Sequence, residues 1–464
     1  MSGKTIFFAL PRGWDRRFVL RTGVLAPLLE AGIRPVILTP KATDPEFRAE
    51  FAHLDLEPYE PHTPGTIEGS YRRILNFLFA ARFPGHTLET IASAYIATRV
   101  SSPVKRAFYR GLGRAGRSFP ALYDTLRRAE SLVPVDPRWK RLFETWKPDA
   151  LITMPLFDYG DIPILKWARR FRVQTCAIVT SWDNISTKGA ITVRPDALVV
   201  WNNDMKHEAE QTHGFRPDRV AVTGVPPFDH WGDPPRTSRD EFMRKYGLDP
   251  SRKMIGYMGA GNTILPNEHE VLEHVIEANE AGVFGERLSI FVRLHPIDHR
   301  ETWDRFRNRP GVVVEYPRNG RRKDWDADRD DLDHLADTVR ACDVSMNVGS
   351  TITIESCIAE RPVINIGYDG NLQLPHARSI ARAYERNHFR AIPACGIPVA
   401  YSREQLIALT KAYLEDPSKD GDARAKVRER LVGKVGGAAQ RTGRALVSFV
   451  LNGPSGITRF EVDG

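Results

Sequence analysis

The stretch that decides the fold is "SMNVGSTITIESCIAERPVINIG", residues 345–367. It begins as an apolar strand, stops at Gly349, offers the hydroxyls of Ser350 and Thr351, and continues as a helix that leads into a second apolar strand, "PVINIG". Strand, helix and strand in that order make a parallel β-α-β unit. Glycine at the strand end permits close backbone approach to a bound group. Hydroxyls at a helix start, beside its free N–H groups, suit a phosphate. Glu355 lies four residues after Thr351, whereas a capping box needs three. A carboxylate one turn into the helix can instead accept from ribose hydroxyls. The ordinary alternative is an N-cap followed by a dipole-favourable acid.

Working outward, "VRLHP" (292–296) reads as a strand of the same sheet, stopped by Pro296. Arg293 and His295 then stand at its C-terminal end, where each can meet a phosphate. "YMGAGNT" (257–263) is a strand end and a turn, and Gly259, Gly261 and Asn262 suit an approach to pyrophosphate or sugar. The turn is neither GxGxxG nor a Walker loop, which disfavours a dinucleotide cofactor and ATP hydrolysis.

The N-terminal half has the same rhythm. "KTIFFAL" (4–10) is a strand, "PRGWDRR" a loop, "FVLRTGVLAPLLEAG" a helix and "RPVILTP" a strand. After residue 147 strands recur at "DALITMP", "VQTCAIVTS", "DALVVW" and "RVAVTG", with helices between them. "VPPFDHWGDPPRTSRDEF" reads as a linker. A second series follows, with "PVINIG" as its last strand. The expected class is α/β, two doubly wound Rossmann-like domains facing a central cleft. Expected boundaries are 1–235 for the first domain, 236–420 for the second and 421–464 for a helical tail. Open sheets of this kind bind ligands beyond the C-terminal ends of their strands.

The 464 residues exceed one ordinary core, and 27% charged with 42% hydrophobic residues is the balance of a folded globular chain. The opening apolar run is too short for a signal core, and no stretch of eighteen apolar residues occurs. A cytoplasmic protein is expected. Cys176, Cys342, Cys357 and Cys395 show no CxxC spacing and read as buried thiols, not a zinc site. The net charge of +8 is concentrated in residues 67–147, which hold 15 Lys or Arg against 6 Asp or Glu. That segment reads as an inserted set of helices interleaved with aromatics. It carries no RNA-binding or zinc-finger signature, so nucleic acid is not the expected partner. An anionic lipid surface suits it, placing the chain at the inner face of the cell membrane; a solvated face backed by a core face is the ordinary alternative.

"GSTITIESCIAERPVI" after "VRLHP", in a second α/β domain, resembles GT-B-fold glycosyltransferases of bacterial surface-polysaccharide synthesis. The His-Pro and Ser/Thr pair is similar to that of CMP-sugar transferases. The strand-GS-helix-E arrangement is similar to UDP-GlcNAc 2-epimerases and CDP-glycerol phosphotransferases. The resemblance implies that the second domain holds a UDP- or CMP-linked sugar as substrate, with His295, Ser350, Thr351 and Glu355 as contacts and no cofactor. It also implies that "DRDDLDHL" (328–335) lies on a loop before the strand, where Asp331 and Leu332 would meet the base or ribose.

Sugar transfer needs the leaving phosphate stabilised, which hydroxyls, a helix N-terminus, His295 and Arg293 can do without metal. No DxD stands in a setting that suggests a metal-dependent enzyme. An inverting reaction also needs a base on the acceptor hydroxyl. Asp15, Asp158 and Asp183 follow predicted strands of the first domain, and Trp182 beside Asp183 could stack on a sugar. Asp15 can instead pair with a neighbouring arginine, Asp158 can cap a helix, and Asp183 can close an Asx turn. The acceptor is expected to be a glycan or a lipid-linked sugar. An epimerase, a glycerol-phosphate-type transferase and a non-catalytic nucleotide-binding scaffold are the rival readings.

Overall fold

Short apolar runs, each bounded by Asp, Gly or Pro, form the strands. The computed structural model describes residues 3–84, 87–154, 159–261, 264–296, 298–316 and 329–461. Among these, two parallel sheets occur. The first contains β1 (Thr5–Ala9), β2 (Arg34–Thr39), β3 (Asp55–Pro58), β4 (Ala150–Thr153), β5 (Gln174–Ile178), β6 (Ala197–Val200) and β7 (Val220–Val222), in the order β3-β2-β1-β4-β5-β6-β7. The second contains β8 (Met254–Met258), β9 (Ser289–Arg293), β10 (Val312–Glu315), β11 (Val344–Asn347), β12 (Val363–Ile366) and β13 (Val399–Ala400), in the order β10-β9-β8-β11-β12-β13. Every residue of β4, β8 and β11 is buried, as strands covered by helices on both faces must be. The fold is α/β with two Rossmann-like units.

Unit 1 comprises Met1–Pro227 and Gly437–Gly464; unit 2 comprises Phe228–Gly436. The expected tail 421–464 is therefore divided. Helix Gly421–Leu431 stays with unit 2, and helix Ala438–Asn452 packs in unit 1. There Gly443 lies so close to the segment before helix Ala26–Glu30 that a Cβ would stand 2.5 Å from the Val24 carbonyl oxygen.

One device recurs in both units. An aspartate just before a strand accepts an N–H from the first or second residue of its neighbour. Asp149, before β4, takes the Thr5 N–H at 2.9 Å; Asp196, before β6, takes that of Thr175 at 2.9 Å. Asp343, before β11, takes that of Met254 at 2.7 Å and holds Arg239 at 2.9 Å. These aspartates satisfy edge donors that would otherwise be buried unpaired, and they fix the stagger of adjacent strands.

The helical insertion is present as helices Thr66–Ala80, Thr87–Arg99, Pro103–Ser118 and Pro120–Ala129. Leu75, Leu78, Phe79 and Tyr123 form its core. A buried ionic cluster ties it to the sheet: Glu130 receives Arg72 at 3.2 Å and Lys166, on helix Ile162–Arg170, at 2.8 Å.

Four local expectations change. The stretch 18–32 is not one helix but part of Gly13–Leu20 and then Ala26–Glu30, because Gly23 takes φ 90° between them. "PRGWDRR" is not all loop, since that first helix starts at Gly13 and carries Asp15 in its first turn. Residues 329–341 form a helix, not a loop, with apolar Leu332, Leu335, Ala336 and Val339 at helical spacing. "PVINIG" is not the last strand, since β13 pairs with it.

Glu130→Ala removes the carboxylate shared by two buried cations, leaving Arg72 with Glu68 and Lys166 with the backbone carbonyls of residue 130 and Val133, and is expected to destabilise unit 1 by about 1–3 kcal/mol. Asp343→Ala, which orphans the buried Met254 N–H, is expected to cost unit 2 about 1–3 kcal/mol. Denaturant titration of each variant beside the wild type measures both.

Candidate functional site

In unit 2 the strand order reverses between β8 and β11, and the loops after β8, β9 and β11 gather at that edge. Such a reversal opens a crevice beyond the strand ends. Of the expected residues of this domain, Gly259 and Gly261 follow β8, Arg293 ends β9 with His295 just beyond it, Gly349, Ser350, Thr351 and Glu355 follow β11, and Asp331 and Leu332 lie on the helix Arg329–Ala341 after β10; Asn262 lies outside the described residues.

The Gly349 turn is braced from behind. Gly349 adopts φ 50°, and its N–H donates to the Tyr384 hydroxyl at 2.9 Å, which in turn donates to the Ile366 carbonyl at 2.9 Å. Asn347 Oδ1 accepts from the Ser350 N–H at 3.2 Å. Thr353, buried, links Asn347 to Asn365 and so ties β11, the helix Ile352–Ile358 and β12 together. Ser350 Oγ accepts from the Ile352 N–H at 3.3 Å. Several N–H groups of this helix start are therefore spent within the turn. What the half-buried turn still presents is the hydrogen of the Ser350 hydroxyl and the hydroxyl of Thr351. Glu355 is buried one turn further in.

The glycine turn after β8 is committed differently. Glu268, 1% exposed at the start of helix Glu268–Glu280, accepts the Ala260 N–H through both carboxylate oxygens, at 3.1 and 3.0 Å, and is bonded by the Gly261 N–H as well. An internal carboxylate thus occupies the donors that a phosphate would use at Gly259–Gly261. Gly259 is glycine for a packing reason: a Cβ there would lie 2.9 Å from Asp298 Oδ2. That oxygen also accepts the His295 N–H at 2.7 Å, which fixes the loop bearing His295. Burial holds the His295 imidazole below its ordinary pKa, so at neutral pH it is a neutral hydrogen-bonding ring.

Arg293 is held in a network. It pairs with Glu315 at 2.7 Å and with Asp331 at 2.9 Å, side chains on β10 and on the helix Arg329–Ala341. Tyr246 and His334 add bonds of 2.6 and 2.7 Å to Glu315. Although burial opposes it, the His334 bond and the Arg293 charge draw the Glu315 carboxyl down to about 2. Arg293 and Asp331 thus hold each other, and Leu332 follows on the same helix.

A cavity of about 510 Å³ opens beyond β12, lined by His274, Tyr368, Asp369, Asn371, Tyr401 and Arg403 among others. Its wall includes Ala381, on the 3-10 segment Ile380–Glu385 that also carries Tyr384. One short segment therefore bounds the cavity and braces the Gly349 turn. The sequence carried no sign of this cavity. Glu268 and Asp298 were missed too, although an acid opening the helix after a glycine turn, and an Asp three residues after His295, are the available signals.

In unit 1, Asp183 is paired with Lys188 at 2.9 Å and receives the Thr187 hydroxyl at 3.3 Å. Trp182 does not offer a face to a sugar: it is 4% exposed and packs edge-on against Trp201, ring centroids 4.5 Å apart. Asp15 is 1% exposed and accepts the Arg12 N–H at 3.2 Å; burial pushes its carboxyl up to about 7. Asp158 lies outside the described residues. Among the described residues no group of three or more His, Cys, Asp or Glu is arranged to hold a metal ion, and no helix is long and apolar enough to cross a membrane.

Burial raises Glu268 from the ordinary glutamate value to about 8. The folded state then binds this proton more tightly than the unfolded chain does. The stability it confers is complete below the unfolded value of 4.5 and is lost as pH rises toward 8. Unit 2 should weaken across that interval, and Glu268→Gln should flatten the slope in a series of unfolding titrations between pH 5 and 8 (about the window set by the shift).

No protein-family model and no curated protein sequence matches the chain. Solved structures do. A glycosyltransferase from Rickettsia africae ESF-5 aligns over 97% of this chain and 99% of its own, with 12% identity and a TM-score of 0.53. The S. aureus MnaA–UDP structure aligns over 97% of each chain, with 11% identity and a TM-score of 0.52. A UDP-N-acetylglucosamine 2-epimerase aligns over 96% of each, with 12% identity and a TM-score of 0.52. At such identities the likeness is one of fold, and it extends over nearly the whole chain: two Rossmann-like units of the GT-B class.

Proposed function

We propose that the protein is a nucleotide-sugar-dependent glycosyltransferase whose donor binds in unit 2. In this reading the donor's phosphate lies against the hydroxyls of Ser350 and Thr351, with His295 as a further hydrogen-bond donor. The nucleoside extends into the cavity beyond β12. One observation carries the reading: the segment Ile380–Glu385 forms part of the cavity wall and braces the Gly349 turn, so a phosphate place and a ligand-sized hollow share a wall at the C-terminal edge of one sheet. The fold is shared with a glycosyltransferase and with a structure described as a complex with UDP, which supports the substrate class by analogy.

As the bond from sugar to phosphate breaks, charge develops on the phosphate oxygens. Fixed hydroxyls and a neutral imidazole can stabilise it without reorganising. Gly259 and Gly261 serve the site by letting loops close on one another, and Arg293, Asp331 and Leu332 serve by positioning. The base that takes the acceptor's proton is assigned to unit 1, to Asp15 before Asp183, because Asp183 is already neutralised by Lys188 while Asp15 has a carboxyl poised near neutral pH. The acceptor is a glycan or lipid-linked sugar. Helix Pro103–Ser118, with five Lys or Arg, no acid, and exposed Val104 and Phe108, is the surface suited to anionic lipid headgroups.

A UDP-sugar 2-epimerase is the second reading. Two acids of unit 1, Asp15 and Asp161, are both buried and raised to about 7, the property of groups that exchange protons with a sugar. Turnover separates the two: an epimerase changes the sugar nucleotide without an acceptor, and a transferase releases the nucleotide only with one.

Melting midpoints of the full chain with UDP, CMP, CDP, GDP and TDP should rise for the matching nucleotide. Ser350→Ala or His295→Ala should weaken that nucleotide by about 10-fold or more, the effect of losing a hydrogen bond to a charged group. Unchanged midpoints with all five, or variants that bind as the wild type does, would discard the site.

A further inference from the structure

The loop after β12 is pinned to helix Glu268–Glu280 and its cap. Gly370 adopts φ 63°, and a Cβ there would stand 2.5 Å from Glu270 Oε2. The same oxygen accepts the Asn371 N–H at 2.8 Å, and the Asn267 side chain donates to the Asp369 carbonyl. Asp369 Oδ1 accepts the N–H of Ile380 at 3.0 Å, the first residue of the segment that braces the Gly349 turn. Its Oδ2 accepts no hydrogen bond among the described residues, although Asp369 is only 6% exposed and lines the cavity of about 510 Å³. The basic side chains of the same wall are committed elsewhere. Arg403 pairs with Glu277 at 2.9 Å and His376 with Glu385 at 2.8 Å. His274 is bonded through both ring nitrogens, to the Tyr368 hydroxyl at 3.1 Å and to Asn371 Oδ1 at 3.0 Å, which leaves the Asn371 Nδ2 hydrogens for a ligand.

Tyr401, the first residue after β13, shares this wall. Its N–H donates to Gln405 Oε1 at 2.8 Å. Its ring lies so close to Gly367 that a Cβ there would stand 3.0 Å from two ring carbons. The side chain is held, yet it is 52% exposed and its hydroxyl makes no hydrogen bond among the described residues.

A carboxylate oxygen enclosed in this way needs donors, and the surrounding protein supplies none. It repels a phosphate, so the anionic part of a ligand belongs at the Gly349 turn and the uncharged part in the cavity. An exposed, fixed aromatic ring suits a planar partner. Uracil and thymine present one ring N–H flanked by two carbonyl oxygens, which a carboxylate repels. Cytosine, guanine and adenine each carry an exocyclic amino group that donates to a carboxylate, and a nearby acceptor that the Asn371 amide can meet.

We infer that the cavity beyond β12 is a base-reading site that selects an amino-bearing nucleobase over uracil or thymine, with Asp369 as the acceptor that decides the choice and the Tyr401 ring as the surface on which the base stacks. This rests on the reading that the nucleoside occupies this cavity.

Calorimetric titration of the full chain with UDP, TDP, CDP, GDP and ADP tests it, since these share the diphosphate and differ chiefly in the base. In the wild type at least one of CDP, GDP and ADP should bind about 10-fold or more tighter than UDP and TDP, the effect of facing a buried carboxylate with a carbonyl. The one that leads identifies the base. Asp369→Asn keeps an acceptor for Ile380 and puts an amide donor in place of Oδ2, so it should narrow or reverse that gap by about 10-fold. Tyr401→Ala should weaken all five by about 10-fold and keep their order. A wild type that prefers UDP or TDP, or a Tyr401→Ala variant that binds as the wild type does, overturns the inference. So does an equal loss for every nucleotide in Asp369→Asn, which would give Asp369 to the ribose hydroxyls. Should Asp369→Asn not fold, the wild-type order and Tyr401→Ala still decide. The phosphate place fails or stands separately: if Ser350→Ala weakens every nucleotide while Asp369→Asn and Tyr401→Ala change nothing, the base lies outside this cavity and the Gly349 turn keeps its role. No binding of any of the five removes both.

Discussion

Parallel strand pairing is the constraint on which the rest depends. Parallel strands need a crossover between each pair, and right-handed crossovers carry the helices to both faces. Every strand then ends on the same edge. Where the chain starts in the middle of a sheet and works outward in both directions, the order reverses once, between β1 and β4 in unit 1 and between β8 and β11 in unit 2. Loops on either side of a reversal diverge. Asp15 and Asp161 flank the first reversal; the Gly259 and Gly349 turns flank the second.

Buried and half-buried acids shape the edge of unit 2. Glu268 takes the N–H groups of the glycine turn, Asp298 holds the His295 loop, and Glu315 with Asp331 holds Arg293. Each such acid makes a loop rigid and removes a group from the pool that a ligand can use. The hydroxyls of Ser350 and Thr351 are presented because the backbone behind them is satisfied by Asn347 and Tyr384, with Thr353 holding the Asn347 side chain in place. A preorganised turn of this kind loses little on binding.

Much of the fold was legible. β8, β9 and β11 read as apolar runs because strands covered on both faces have no reason to alternate. The glycine-hydroxyl turn at 349–351 read as the end of such a run, and the basic insertion was visible as apolar residues at helical spacing within a surplus of Lys and Arg. The site was legible only in part. Arg293 read as a ligand group from its type and Asp331 from the resemblance, but they are 38 residues apart in sequence and meet as an ion pair. Trp182 read as a sugar platform, but its indole packs edge-on against Trp201. Asp161 read as nothing at all, because an Asp before Ile-Pro is the ordinary signature of a helix cap.

The sequence by itself determined the two α/β series, the strand ends at which chemistry can occur, and the hydroxyl turn, because these follow from local periodicity and from the residues that interrupt it. The tertiary structure decided which polar groups remain for a ligand. It paired Arg293 with two acids, filled the glycine turn with Glu268, opened a cavity beyond β12 and set Asp369 and Tyr401 in its wall. Those outcomes depend on which distant side chains share a low-dielectric space, and neither the spacing nor the composition of a single segment carries that information.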